Sequence, residues 1–370
     1  MKIGVDAKWY FSGPPSTRTM LQNLLPCLFK FYPQHEWIIF LDKKDKQLGF
    51  PFQQPNITLH YVWAGINMLS NLLTLPYHNR KHNPDIMIFQ TFPSFRQKGI
   101  AIAFIHDVLF NNYPQYFTWK EKLYFLPLRW LTPTAKRIVV TSEFVAKELV
   151  RYNYRKHYNE IDIVPLGISA DFKPAEQMDP CLLQKVKEKF NLPDSFILFV
   201  GRLNARKNIE SLLKAIPLLR DNSIVVVIVG GADGKPTCIE KILSDPRLQK
   251  RVLMTGSVTS TELPAIYAMA TLFCFPSYAE GFGLPPLEAM AAGVPAVVSD
   301  TTSLPEVCGD APVYIDSNNP ENIANALSHL LENPALYQQK RKTGLEQARK
   351  YNWDKTAHLL MQSITNSIKQ

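Results

Sequence analysis

The chain has 370 residues, 46% of them apolar and 20% charged, a balance that suits a globular protein and excludes a disordered or fibrous one. Its length exceeds what one hydrophobic core commonly serves, so two domains are expected. The formal charge of +9 is uneven: residues 1–172 carry 20 Lys/Arg against 12 Asp/Glu, and residues 173–370 carry 21 against 20, so the first half is expected to meet something anionic.

In chain order, short runs rich in β-branched and aromatic residues predict strands at Ile3–Val5, Trp37–Leu41, Ile57–Val62, Ile86–Phe89, Ala101–Ile105 and Arg137–Thr141. Two apolar segments interrupt this rhythm, Ile66–Leu73 and Phe117–Trp130, the second mixing aromatics with Lys120, Lys122 and Arg129. They read either as buried helices with a few solvated charges or as segments that meet a membrane surface. Pro and Gly punctuate Val164–Pro174, the expected junction. Beyond it, strands are predicted at Phe196–Val200, Ile224–Val229, Val252–Thr255, Leu272–Phe275, Ala296–Ser299 and Pro312–Ile315, without the polar alternation of a half-exposed sheet. After Asn208, a predicted N-cap, Ile209, Leu212, Leu213, Ile216 and Leu219 form one helical stripe. The chain closes on an amphipathic stretch with Trp353, Ala357, Leu360, Met361, Ile364 and Ile368 on one face. Alternating strands and helices predict an α/β protein of two Rossmann-like domains, each a doubly wound parallel sheet, facing a cleft. The expected bounds are 1–170, with a terminal helix over 354–370 crossing back to it, and 171–353.

Three constellations carry chemistry. In the first, the strand Leu272–Phe275 leads into Glu280-Gly281-Phe282-Gly283-Leu284-Pro285-Pro286-Leu287-Glu288, a glycine-bearing loop opening a helix that ends at Gly293. Backbone N–H groups at such a helix start suit an anion, and the two carboxylates suit a ligand that also bears vicinal hydroxyls, such as ribose and a hexose. The competing reading is a capping loop whose Glu residues complement the helix dipole. The second is Gly201-Arg202-Leu203-Asn204-Ala205-Arg206-Lys207-Asn208, where Arg202 and Lys207 follow a strand and can clamp a diphosphate, or form an ordinary solvated basic loop. The third is His106 after Ala101–Ile105, either a structural histidine or one that meets a sugar hydroxyl or shifts a proton.

Several signatures are missing. There is no Asp-x-Asp pair for a metal-bound nucleotide, no GxGxxG after a strand, no Walker A loop, no GxSxG elbow and no nucleic-acid-binding motif. No basic segment followed by an apolar stretch opens the chain, and no apolar run approaches the ~20 residues of a spanning helix. The five cysteines, Cys27, Cys181, Cys238, Cys274 and Cys308, are scattered and lack a CxxC pair, which predicts reduced thiols in the cytoplasm.

Glu280 and Glu288 with seven residues between them, together with Gly201-Arg202 and Lys207-Asn208, resemble the signature of the retaining family 4 glycosyltransferases of GT-B fold. His106-Asp107, Thr141-Ser142-Glu143, Val164-Pro165-Leu166-Gly167, Ser303-Leu304-Pro305-Glu306 and the Trp353 helix extend the resemblance over most of the chain. It implies that Arg202 and Lys207 hold a nucleotide-sugar diphosphate beside Gly201. Glu288 would take the ribose, and Glu280 with Gly281 and the amides of Phe282, Gly283 and Leu284 the transferred sugar. His106 would reach that sugar, and Ser142 would line the acceptor side. Metal and cofactor are not required in that family. The loop Gly13-Pro14-Pro15-Ser16-Thr17-Arg18 departs from it: one glycine remains, two prolines remove donors, and Arg18 is the candidate replacement for acceptor contacts alongside Gly13.

The expected activity is transfer of a hexose, mannose from GDP-mannose first and a UDP-sugar second, to a lipid-linked or lipopolysaccharide-type glycan at the inner face of an anionic membrane. A sugar-nucleotide epimerase or hydrolase of the same fold is the alternative, with a non-catalytic membrane-binding protein behind it.

Overall fold

The computed structural model describes residues 1–94, 96–231 and 239–369. The chain divides into two compact units: Met1–Asn111 with Trp119–Gly167 and Asn352–Gln370, and Asn112–Thr118 with Ile168–Tyr351. In the first unit, β1 (Lys2–Asp6), β2 (Glu36–Asp42), β3 (Ile57–Val62), β4 (Ile86–Gln90), β5 (Ile100–Ile105), β6 (Arg137–Val140) and β7 (Ile161–Ile163) form one parallel sheet, ordered β3-β2-β1-β4-β5-β6-β7. Helices cover both faces, which is why the central strands are continuous apolar runs: Ile38, Phe40, Met87, Phe89, Ala103 and Ile138 are buried in one core cluster. The sequence reading missed β7. Its three residues, Ile-Asp-Ile, are too few to show a period, and Asp162 is present because it pairs with Arg137 of β6 and accepts from Ser363 Oγ at 2.5 Å.

Ser363 belongs to the terminal helix Trp353–Lys369, which packs on the Pro15–Phe31 helix and on β5 and β6. Its Trp353, Ala357, Leu360, Met361 and Ile364 are buried. Ile368, expected on the same face, is exposed, while its neighbour Ser367 is buried.

In the second unit, β8 (Phe196–Val200), β9 (Val225–Val229), β10 (Val252–Gly256), β11 (Leu272–Phe275), β12 (Ala296–Ser299) and β13 (Val313–Ile315) are again all parallel, ordered β10-β9-β8-β11-β12-β13. The order reverses direction between β8 and β11, which pair directly through Leu272 with Ile197 and Phe273 with Leu198. In a doubly wound sheet the loops leaving two such strands diverge to opposite faces, and a crevice opens at their carboxyl ends. The loops that follow β8 and β11 are those that bear Arg202, Lys207 and Glu280.

Among the described residues, Cys27, Cys181, Cys274 and Cys308 are free thiols, and Cys238 lies outside the described residues.

Candidate active site

The loop after β8 is built tightly. Gly201 N donates to Val229 O (3.0 Å) and Leu203 N to Gly231 O (2.9 Å), tying it to the end of β9. Asn204 caps a single 3-10 turn, Ala205–Lys207, by accepting from Lys207 N at 3.2 Å. Asn208 occupies the N-cap position of the following Ile209–Ala215 helix as predicted, but makes no side-chain cap bond. It adopts a left-handed backbone (φ 52°) and its amide donates to Pro276 O (3.0 Å) and Ser317 O (2.7 Å), so its side chain faces away from the helix start. Arg206 O accepts from Tyr278 N (2.9 Å) and Ser277 Oγ (3.2 Å), stitching this loop to the one after β11.

These tethers bring charges together underneath. Lys207 Nζ donates to Glu280 Oε1 (2.7 Å), Arg206 Nη1 lies 3.1 Å from Glu280 Oε2, and Ser277 Oγ donates to Glu280 Oε1 at 2.5 Å. All three ionic side chains are buried, so the reading of a solvated basic loop fails. Lys207 also rests on the Phe275 ring, 4.8 Å from its centroid. Burial alone would raise the Glu280 carboxyl, but Lys207 and Arg206 hold it down at about 2. Burial lowers Lys207 to about 8, against the pull of Glu280; Arg206 and Arg202 add to the lowering, which marks Arg202 as a neighbour.

Glu288 faces this cluster from the helix Leu284–Ala291. Burial pushes its carboxyl up to about 7, opposed by the Tyr267 hydroxyl, which donates to Oε2 at 3.0 Å, and by Lys207. Glu288 stands past the first turn and Glu280 is held by cations, so the dipole-complement reading does not account for either residue. The helix start itself is poorer in donors than an ordinary one, because Pro285 and Pro286 lack N–H groups; the amides left to serve a ligand are those of Phe282, Gly283 and Leu284. The segment after β12 aims that loop: Glu280 N donates to Thr302 Oγ1 (2.9 Å), and Ser303 Oγ donates to Glu280 O (2.9 Å) and Phe282 O (3.0 Å). Gly283 has φ 106°, and a Cβ there would lie 2.6 Å from Leu304 Cδ2, so the turn requires glycine. Gly281 lies buried within it.

The remaining predicted residues belong to the first unit. His106 follows β5, with Nε2 3.4 Å from Thr17 Oγ1, and burial lowers its imidazole to about 4, leaving it neutral at physiological pH. Gly13 turns back on Trp9 immediately before the Pro15–Phe31 helix, and Arg18 is exposed on that helix's first turn. Ser142 is buried and caps the Glu143–Arg151 helix by accepting from Val145 N (3.3 Å). A cavity of about 580 Å³ opens at the opposite ends of β5 and β6, beside Lys136 and Arg155, and plays no part in this site.

Sequence reasoning did not single out Arg206, Ser277, Tyr267, Thr17 or Thr302. Of these only Arg206 carried a signal, as a second cation beside Lys207.

The arrangement is one that can hold a doubly charged ester next to hydroxyl-bearing groups. Residues 34–172 match the family model Glycosyltransferase Family 4, and residues 183–350 match Glycosyl transferases group 1. The chain is 31% identical over 261 residues to O-antigen chain mannosyltransferase B of Escherichia coli, covering 69% of this chain and 67% of that protein. It is 35% identical over 192 residues to the serotype-specific mannosyltransferase WbdA of Escherichia coli, covering 50% of this chain but 24% of that much longer protein. Sucrose-phosphate synthase from Thermosynechococcus elongatus superimposes over 100% of this chain and 99% of its own, with a TM-score of 0.80 at 19% identity, a likeness of fold. The chain belongs to the family 4 glycosyltransferases and has their GT-B fold.

Proposed function

We propose that this protein is a retaining, metal-independent hexosyltransferase that moves mannose from GDP-mannose to a lipid-linked or lipopolysaccharide-type glycan. The observation that carries the reading is the buried cluster of Lys207, Arg206 and Glu280 at the β8/β11 switch point, with Arg202 beside it. Cations gathered at this point suit the diphosphate of a nucleotide-sugar. In this reading Gly201, Arg202 and Lys207 hold the diphosphate and Glu288 accepts from the ribose hydroxyls. Glu280 and the amides of Phe282, Gly283 and Leu284 take the sugar. The first unit receives the acceptor, with His106 as a neutral hydrogen-bonding group toward the sugar and Gly13 and Arg18 on the acceptor side. The acceptor oxygen bonds to the anomeric carbon on the face from which the phosphate departs, the carbon–phosphate oxygen bond breaks, and the acceptor proton passes to the departing phosphate oxygen. The fixed cations lower that barrier because negative charge grows on the leaving group.

Mannose rests on the names of the relatives; the excess of Lys and Arg in residues 1–172 fits an acceptor presented at an anionic cytoplasmic membrane face. A thermal-shift series with GDP, UDP, ADP and TDP and their sugars tests the donor: GDP-mannose should stabilise most, and a larger shift with a UDP-sugar would replace guanine by uracil. Lys207→Met leaves Glu280 paired with Arg206 at 3.1 Å and should lower transfer by about 10²–10³-fold. Near-native transfer by that variant would remove the cluster from the site. Turnover of the donor at full rate without acceptor would favour the hydrolase reading.

A further inference from the structure

Along residues 63–77 of the first unit, Ala64 and Leu75 enter the core and Met68 and Leu72 pack against it, yet polar side chains are also buried and several large apolar ones face out. Asn67, Ser70 and Asn71 are buried, whereas Trp63, Ile66, Leu73 and Tyr77 are exposed, Tyr77 at 72%. One of the inward polar groups, Asn71, answers a buried lysine: Lys8 Nζ donates to Asp6 Oδ1 (2.7 Å) and Asn71 Oδ1 (2.5 Å). Asn71 in turn donates to Phe92 O (2.7 Å), and Ser70 Oγ to Trp63 O (2.8 Å). A π-helical turn, Ser70–Thr74, widens the backbone at this point.

The second apolar segment adjoins the first. No residue of the Trp119–Phe125 helix is buried, and Trp119 (69% exposed), Leu123, Leu126 and Trp130 (65% exposed) face solvent, contrary to the reading of a buried helix. Its Tyr124 and Phe125 rings lie 5.2 and 6.3 Å from Phe92, whose carbonyl takes the Asn71 amide, and the Tyr124 hydroxyl lies against Asn67. Eight of the fourteen large exposed apolar side chains among the described residues come from these two neighbouring segments, a concentration that scattered surface hydrophobes do not show. Arg80, Lys81, Lys120, Lys122 and Arg129 accompany them against the single acid Glu121.

We propose that this face is a docking surface for an anionic lipid bilayer, with the two tryptophans and their aliphatic neighbours entering the headgroup boundary and the cations meeting lipid phosphates. Charge decides the occupant. A second copy would set the same five cations against themselves across a two-fold interface, and lysine is depleted from protein interfaces, whereas aromatic and basic groups together suit a negative bilayer. The surface rests on the proposed reaction only for its purpose; its exposure and charge stand by themselves.

The test is co-sedimentation of the full chain with vesicles of phosphatidylcholine, with and without phosphatidylglycerol. The wild type should bind the anionic vesicles and release with salt. Trp119→Ser with Trp130→Ser, and separately Leu73→Ser with Tyr77→Ser, should each lower vesicle affinity by about ten-fold or more, because each removes two large apolar groups from the boundary. Both variants should melt like the wild type and keep its thermal shift with GDP-mannose. Absence of wild-type binding, equal binding by the variants, or a wild-type dimer that these substitutions dissociate would each overturn the docking surface. Loss of the GDP-mannose shift in the wild type with vesicle binding intact would instead refute the reaction and leave the surface standing.

Discussion

Replacing Glu288 by Gln should stabilise the ligand-free protein in mild alkali and leave it unchanged in acid. Burial raises the Glu288 carboxyl from its ordinary 4.5 to about 7. Below the lower value both the folded and unfolded chains carry the proton. Between the two values the unfolded chain ionises while the folded one still holds it, so stability falls as pH rises from about 4.5 to about 7 and levels off above. A difference of about 2.5 pH units corresponds to about 3 kcal/mol at 1.36 kcal/mol each. Gln has the same shape, stays neutral, and its carbonyl can take the hydrogen bond that Tyr267 now donates at 3.0 Å. Chemical denaturation of the Glu288→Gln variant beside the wild type should show a gain approaching 3 kcal/mol at about pH 8, several degrees in melting at roughly 2–4 °C per kcal/mol, and no gain near pH 4. The same variant should bind donor more weakly, since a carboxylate is the stronger acceptor for ribose hydroxyls. A variant no more stable than the wild type at pH 8, or a gain independent of pH, would refute the placing of a costly buried carboxyl here.

The pH profile of donor kcat/KM should be bell-shaped, rising as Glu288 ionises near 7 and falling as Lys207, lowered by burial to about 8, loses its proton; a flat profile between about pH 6 and 9 would contradict both assignments. Glu288→Gln should abolish the rising limb. His106→Gln should lower transfer yet keep both limbs, because the His106 imidazole, lowered by burial to about 4, is neutral throughout this range; a limb that vanishes with it would overturn that role. Gly283→Ala should destabilise by roughly 1–3 kcal/mol through its positive φ and the approach to Leu304, read as a drop in denaturation midpoint, and an unchanged midpoint would show that the loop relaxes freely.

Most of the strands were legible in the sequence because a parallel strand covered on both faces must be apolar along its whole length, as in Phe196–Val200 and Leu272–Phe275. The Ile209 stripe and the terminal helix were legible for the related reason that a covered helix shows its period. The Glu280–Glu288 spacing was legible because one short loop and one helix hold both residues. What pairs with them was not. Lys207 and Arg206 lie 73 and 74 positions before Glu280, and Tyr267 lies 21 before Glu288, so only the adjacency of β8 to β11 and the packing of neighbouring helices bring them into contact. Asn208 shows the same division from the other side: local sequence offered a cap, and tertiary acceptors at Pro276 and Ser317 took the amide instead. The apolar and basic character of residues 63–77 and 119–130 could be read from composition, but which side chains face outward, and that Asn71 turns inward to meet the buried Lys8, is decided by packing in three dimensions. Periodicity records the burial of a face; it holds no information about charges that meet across a sheet, and those are set by strand order.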